Sequence, residues 1–131
     1  MAILHVEDNA AIREVVRRAL EAFGFSVASV DGVRAAKLTL TDRHDIAGVL
    51  LDVRLGDGSG VDLYWWIAAQ QPDLAQRVAF LTGSADAEAF APLAAIGCPV
   101  LRKPFDLADL KRFATEWESR ANSTRQERAD R

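Results

Sequence analysis

Cysteine is nearly absent from this chain, since Cys98 is its single thiol among 131 residues. One cysteine excludes an internal disulfide and any metal site built from several cysteines. Long apolar runs are also missing, and every run falls well short of the about 18 residues that a membrane span needs. No basic segment with an apolar stretch behind it resembles a signal peptide. The sequence therefore predicts a cytoplasmic protein that does not enter a membrane.

A surplus of basic residues is missing as well. The chain has 16 Lys and Arg against 19 Asp and Glu, which gives a formal net charge of −3. Because nucleic-acid binding usually needs a basic face, no nucleic-acid partner is expected.

Half of the composition is hydrophobic, which suffices for the core of one domain. We predict that domain over residues 1–118, and a polar tail over residues 119–131 that has little to bury and is frayed or disordered.

Five short apolar stretches alternate with segments of helical periodicity. Strands are predicted at 2–6, 25–30, 46–51, 77–82 and 99–103, and helices at 9–24, 31–41, 61–71, 86–96 and 106–117. The third stretch, "IAGVLL", lacks polar alternation, as expected for a strand covered on both faces. This order of elements predicts an α/β fold, with a parallel sheet and helices on both of its faces.

Polar residues stand where these strands end. Glu7 and Asp8 follow the first strand, Asp52 follows the third, and the last two strands end in Thr82 and Lys103. In a doubly wound sheet, ligands bind at the carboxyl ends of the strands. The sequence therefore brings three acids, a hydroxyl and an ammonium to one edge.

This set of groups fits one kind of chemistry. Crowded carboxylates need a cation, and a hard divalent ion such as Mg²⁺ prefers oxygen ligands. The Asp52 carboxylate can then attack a phosphoryl group to form an aspartyl phosphate. Mg²⁺ and Lys103 would balance the charge on the transferred group, and the Thr82 hydroxyl can donate a hydrogen bond to it.

Taken singly, each of these residues has a simpler explanation. Glu7 and Asp8 could cap the first helix, because acids favour helix N-termini. Asp52 could open a turn. Thr82 could be an ordinary residue at the end of a strand, and Lys103 could be a solvated surface charge. The combination, with its members all at strand ends, favours the phosphoryl site.

The segments "LHVEDN", "LLDVRLGDGSG", "FLTG" and "RKPF" resemble the receiver domains of two-component response regulators. The resemblance runs from about residue 2 to residue 118. It implies a flavodoxin-like fold, in which a five-stranded parallel sheet of order 2-1-3-4-5 is flanked by five helices. It also implies a phosphorylation-driven switch of protein–protein contacts rather than an enzyme with a separate substrate.

The resemblance assigns metal ligands. Asp8 matches the direct Mg²⁺ ligand of the family, and Glu7 matches the acid that acts through a metal-bound water. The backbone carbonyl of Arg54 matches a further ligand, beside Asp52.

The same resemblance assigns the phosphoryl-transfer residues. Asp52 matches the phosphoacceptor, whose donor is the phosphohistidine of a histidine kinase or of a histidine phosphotransfer protein. Thr82 matches the switch hydroxyl and Lys103 the phosphoryl-binding lysine. The Lys103–Pro104 peptide matches a bond that is usually cis in the family.

Three positions depart from the family pattern. Gly56 stands where a proline is common, so the loop after Asp52 gains flexibility. Val100 stands where an aromatic residue usually accompanies the switch hydroxyl, so we expect the signal to run through the 82–92 segment. Arg54 lies two residues after the phosphoacceptor and is a candidate modulator of phosphoryl lifetime.

Two other classes of function remain as alternatives. A phosphatase with an aspartyl nucleophile typically has a second acid two residues later, but Arg54 occupies that position. A nucleotide or flavin binder would use a glycine loop, but "GDGSG" follows the third strand and its Asp57 would repel phosphate. Both a stand-alone receiver and a receiver from a hybrid histidine kinase fit the sequence.

Two surfaces are candidate interfaces. Trp65 falls away from the apolar stripe of its helix, with Trp66 on the flank, so this face could contact a partner or form a homodimer. A tryptophan lying flat over neighbouring side chains explains the pattern equally well. The first helix, with its arginines, is the kinase-facing surface by resemblance.

His5, inside the first strand, is interpreted as a packed histidine, since no second ligand lies at metal spacing.

Overall fold

The computed structural model of the protein describes residues 1–83 and 90–130. The elements follow in the order β1 (Ala2–Val6), α1 (Ala10–Ala22), β2 (Val27–Val30), α2 (Val33–Asp42), β3 (Ile46–Asp52), β4 (Arg54–Leu55), β5 (Gly58–Ser59), α3 (Gly60–Gln70), α4 (Pro72–Ala75), β6 (Val78–Thr82), α5 (Phe90–Ile96), β7 (Val100–Arg102) and α6 (Leu107–Ala129).

Five of the strands form one parallel sheet in the order β2-β1-β3-β6-β7. Counted along the chain without the β4–β5 hairpin, this is the predicted order 2-1-3-4-5, so the α/β fold class is confirmed. Six helices lie in the described ranges rather than five, because the turn after α3 forms the short helix α4 with Pro72 at its start. The predicted helix 86–96 and the 82–92 switch segment lie partly outside the described residues, which resume at Phe90.

The core has two layers, one on each face of the sheet. On one face, helices α1 and α6 pack on the sheet through residues such as Leu20 and Leu110. On the other face, α2, α3, α4 and α5 contribute residues such as Leu40 and Ile67. Every residue of β3 is buried, as its continuous apolar sequence predicts for a central strand covered on both faces.

A close contact joins β3 to α6. Gly48 lies directly beneath the indole of Trp117, and a Cβ at Gly48 would overlap that ring. Trp117 is buried and stacks on Phe113, with the two ring centroids 5.6 Å apart. A large aromatic side chain therefore fills the space that the missing side chain leaves.

The C-terminal segment differs from the predicted frayed tail. Helix α6 continues through 23 residues to Ala129 and crosses the predicted boundary at residue 118. Ala121 is buried, the Arg125 guanidinium donates to the carbonyl of His44, and Arg128 pairs with Asp73 at 2.6 Å. These contacts arise because residues 121, 125 and 128 share one helical face, which lies against the body of the domain.

Helix α3 presents its tryptophans as the periodicity predicts. Its buried residues are Gly60, Leu63 and Ile67, whereas Trp65 is 56% exposed. Trp66 is half-buried, with the Lys37 ammonium 5.5 Å from the centre of its ring. The homodimer hypothesis for this face stays a prediction. In the described part of the chain, no helix combines the length and apolar composition needed to cross a bilayer.

Candidate functional site

Three carboxylates meet where β1 and β3 end. Glu7, Asp8 and Asp52 each offer an oxygen, and these oxygens all lie within 4.8 Å of one another. Glu7 and Asp52 are buried, while Asp8 is exposed. Strands β1 and β3 are adjacent and parallel, so their ends lie side by side. The sequence prediction that these acids converge is confirmed.

Lys103 reaches into the same cluster from the end of β7. Its Nζ donates to Glu7 Oε2 at 2.9 Å and to Asp52 Oδ2 at 3.1 Å. Its backbone N–H donates to the carbonyl of Thr82, and the Lys103–Pro104 peptide is cis, as the resemblance implied. The ammonium thus bridges two buried acids that lie far apart in the chain.

The cluster contains more acidic groups than basic ones, so it can accommodate a further cation. Burial raises the pKa of Asp52 to about 7, the neighbouring Glu7 carboxyl acts in the same direction, and Lys103 opposes them. Burial alone would lower the pKa of Lys103, but its bonds to Glu7 and Asp52 raise it above the ordinary value. One ammonium therefore does not balance three acids. An oxygen-only donor set with surplus negative charge fits a hard divalent ion.

The start of α1 is capped by a residue other than the two acids. Asn9 Oδ1 accepts from the N–H of Ile12 at 3.0 Å, which is the capping bond. Glu7 instead accepts from Lys103, and its Oε1 also lies 3.3 Å from the Asn9 nitrogen. Arg13 donates to the carbonyls of Glu7 and Asp8 and so holds the backbone of the pair. The capping explanation for Glu7 and Asp8 is therefore wrong.

The loop after Asp52 is a short hairpin tied to α2. Asp57 Oδ1 accepts from the Val33 N–H at 2.7 Å and Oδ2 from the Arg34 N–H at 3.0 Å. These backbone bonds lower the pKa of Asp57. The N-cap position of α2 is Gly32, where a Cβ would overlap the Asp57 carboxylate. Asp57 therefore supplies a cap that α2 lacks in its own sequence.

The sequence interpretation missed this function of Asp57, which it treated as an acid that would repel phosphate. The sequence signal for this role is the glycine at the start of α2, which leaves the helix without a capping side chain of its own. The acid that caps the helix stands 24 residues after Val33 in the chain. Gly60 also matters for the position of the hairpin, because a Cβ at this residue would overlap the carbonyl oxygen of Asp52. The hairpin can therefore lie tightly against the end of β3 only with glycine at this position.

The remaining predicted site residues lie around this edge. Thr82 is buried at the end of β6, between β3 and β7, and its Oγ1 donates to the carbonyl of Gly83 at 3.2 Å. Arg54 is exposed in β4. Val100 is half-buried at the start of β7, in register with Phe80.

His5 is packed, as predicted. It is fully buried in β1, and neither ring nitrogen has a hydrogen-bond partner among the residues that the structure describes. Burial, assisted by the charges of Lys103 and Arg13, lowers its pKa to about 3. The imidazole is therefore neutral and belongs to the sheet interior.

Comparison with known proteins agrees with this geometry. The sequence model of the "Response regulator receiver domain" family matches residues 3–115. The acid tolerance regulatory protein ActR of Sinorhizobium medicae is 32% identical over 114 residues, which cover 83% of this chain and 55% of that protein. Response regulator MprA of Mycobacterium leprae is 35% identical over 122 residues, covering 84% and 47%. The chain thus spans about half the length of these curated relatives.

Solved structures agree as well. A response regulator receiver protein from Pseudomonas putida is 28% identical with a TM-score of 0.78, covering 88% of this chain and 95% of its own. A receiver domain protein from Clostridium thermocellum has a TM-score of 0.82 at 24% identity, covering 95% and 99%, and supports the fold alone.

Proposed function

This chain belongs to the response regulator receiver domain family of two-component signalling, and we propose that its Asp52 carboxylate is the phosphoacceptor. The observation that carries the proposal is the position of that side chain. Asp52 lies at the carboxyl end of the central strand, 3.1 Å from the Lys103 ammonium and within 4.8 Å of the Glu7 and Asp8 oxygens. A nucleophilic carboxylate beside a fixed cation is what phosphoryl transfer requires.

The proposed metal is Mg²⁺. Asp8 and Asp52 would hold it directly, Glu7 through a water molecule, and Arg54 through its backbone carbonyl. When bound, the ion supplies positive charge that offsets the negative charge on the phosphoryl oxygens. The surplus of acid over ammonium in the cluster supports this assignment.

The chain's own residues carry the transfer. A carboxylate oxygen of Asp52 forms the new O–P bond while the N–P bond of the donor phosphohistidine breaks, and the donor imidazole keeps the bonding pair. Lys103 shifts its hydrogen bonds from the acids to the phosphoryl oxygens, and the Thr82 hydroxyl donates to another of them. Burial of Asp52 limits the access of water to the product.

Receiver domains pair with histidine kinases, and we propose a histidine kinase or a histidine phosphotransfer protein, acting in the cytoplasm, as the donor here. Helix α1 and the segment after Lys103 enclose an open groove of about 690 Å³ beside the site. Its apolar lining includes Ile12, Val15 and Phe105, and Val15 is 56% exposed. A donor helix placed there would bring its histidine to the edge that holds Asp52.

A receiver domain is a signalling module rather than an enzyme. Membership of this family therefore favours the receiver function over the aspartyl phosphatase and the nucleotide or flavin binder. Phosphorylation adds about −1.5 to −2 charges to the edge of the sheet, and this change would shift the contacts of Thr82 and Lys103. The proposed output is a change in protein–protein contacts, with Arg54 as a modulator of how long the phosphoryl group persists.

The test is labelling of the full chain with radioactive acetyl phosphate and Mg²⁺. We expect one acid-labile, hydroxylamine-sensitive phosphoryl group per chain, absent from Asp52→Asn and retained in Asp62→Asn, a matched change on α3. Chelation of the metal should abolish labelling. Equal labelling of Asp52→Asn and wild type would overturn the proposal.

A further inference from the structure

A second group of charged side chains lies at the opposite edge of the sheet. Arg77 immediately precedes β6, and its side chain is almost completely buried. Its Nε donates to the carbonyl of Ala47 at 2.6 Å and its Nη1 to the carbonyl of Asp73 at 3.2 Å. Both acceptors are neutral backbone groups. Buried charges are usually paired with an opposite charge, so this guanidinium is unusual.

Helix α6 brings more positive charge to the same place. Burial lowers the pKa of Arg77, and the charges of Arg120, Arg125 and Arg128 lower it further, while Asp73 opposes them. The Asp73 carboxylate is already used, because its Oδ2 lies 2.6 Å from Arg128 Nη2. Positive charge is therefore concentrated around Arg77, although the formal net charge of the chain is −3.

A cavity of about 280 Å³ lies here, lined by Asp73, Arg77, Arg125 and Arg128 but not by Arg120. Among the described residues, the lining holds three arginines and one aspartate, which is an excess of two positive charges. Two glutamines and a threonine add polar groups. The lining includes Gln70, Gln71, Arg77, Thr124, Arg125 and Arg128.

We propose that this cavity binds a small phosphate-type oxyanion. The planar guanidinium of arginine presents paired N–H donors that match the oxygens of a phosphate. A bound dianion would balance the excess of two positive charges in the described lining. The site lies at the amino ends of β3 and β6, whereas Asp52 lies at the carboxyl end of β3, so the two sites are separate.

Such an anion would also fix the last turns of α6. Arg125 and Arg128 lie one turn apart on the face that covers the cavity, and a shared ligand would hold both against the domain. We therefore expect slower amide hydrogen exchange over residues 119–129 when the anion is bound.

The test is calorimetric titration of the full chain with inorganic phosphate, in EDTA and at constant ionic strength. We expect one saturable site with a Kd of about 1 mM or tighter. The double variant Arg125→Gln/Arg128→Gln should weaken binding at least about tenfold. Arg112→Gln, an exposed change on the same helix, should leave it unchanged. A parallel titration with glycerol 3-phosphate distinguishes a phosphomonoester, which would bind more tightly, from free phosphate.

Three results would overturn the proposal. The first is the absence of saturable binding, and the second is equal binding by the double variant. The third is loss of binding in Asp52→Asn, which would place the anion at the other edge. Both substituted arginines are exposed, so the fold should persist, and Arg125→Lys gives a second check because it keeps the charge but loses the paired donors.

Discussion

The Lys103 ammonium lies 3.1 Å from the Asp52 carboxylate, although 51 residues separate the two in the chain. The contact exists because β7 and β3 flank β6 in the sheet, so all three strands end at one edge. Lys103 also contacts Glu7 and thereby joins the ends of three strands through one side chain. Among the described residues, Lys103 is the cation in direct contact with both buried acids.

Removal of the Lys103 charge should affect both labelling and stability. In Lys103→Gln we expect labelling by acetyl phosphate to slow at least about tenfold, since a fixed cation at the reacting group is lost. The free energy of unfolding at pH 8 should fall by about 1–3 kcal/mol, because two buried carboxylates lose their partner. Urea unfolding measures the second effect. Lys111→Gln, on the surface of α6, is the control and should change neither; a fully active Lys103→Gln would contradict the account.

The raised pKa of Asp52 predicts a specific pH dependence of the metal-free protein. A carboxyl whose pKa rises from 3.8 to about 7 on folding favours the folded state below pH 3.8. That contribution is lost as the pH rises through about 7. Relative to Asp52→Asn, wild type should therefore lose stability between pH 5 and pH 8 in EDTA. Urea midpoints at both pH values measure the difference, and parallel behaviour of the two proteins would disprove it.

The Asp57 contact predicts coupling between the hairpin and α2. In Asp57→Ala, the amides of Val33 and Arg34 lose their acceptors, so their hydrogen exchange should accelerate and the thermal midpoint should fall. Asp57→Asn keeps one acceptor oxygen and should show a smaller effect. Hydrogen exchange resolved by residue measures both variants. Unchanged exchange in Asp57→Ala would show that the contact is unimportant in solution.

The space above Gly48 is occupied by Trp117, so Gly48→Ala should destabilise the fold. The added methyl group forces the indole to move, at a cost of about 1–3 kcal/mol. Near-ultraviolet circular dichroism and urea unfolding report the two effects. Gly56→Ala is the matched control, because within the described ranges a Cβ at that position would meet no atom within 4 Å beyond its chain neighbours. Equal stability of the two variants would contradict the packing described for β3 and α6.

Much of the fold follows from the sequence because its signals are local. Continuous apolar stretches define the strands, and the spacing of apolar residues defines the helices. The convergence of Glu7, Asp8, Asp52 and Lys103 was also predictable, since parallel strands end at one edge. Asn9 and Gly24 mark the ends of α1, and Gly24 has the positive φ of 95° that favours glycine.

The features that could not be predicted from the sequence depend on contacts between segments that are distant in the chain. The capping of α2 by Asp57 spans 24 residues, and the pairing of Arg128 with Asp73 spans 55. Residues 119–129 have few apolar side chains, so their composition alone indicates a tail. Arg125 and Arg128 nevertheless contact the domain, because the His44 carbonyl and the Asp73 carboxylate near the amino end of the sheet accept their hydrogen bonds.

Phosphorylation of Asp52 is tested most directly by locating the phosphoryl group in the chain. The chain is incubated with acetyl phosphate and Mg²⁺, reduced with borohydride, digested and analysed by tandem mass spectrometry. Reduction of an aspartyl phosphate yields homoserine, so the account predicts homoserine at position 52 and unmodified residues at positions 7 and 8. A phosphorylated chain with homoserine at position 8, or with the label on another side chain, would contradict it.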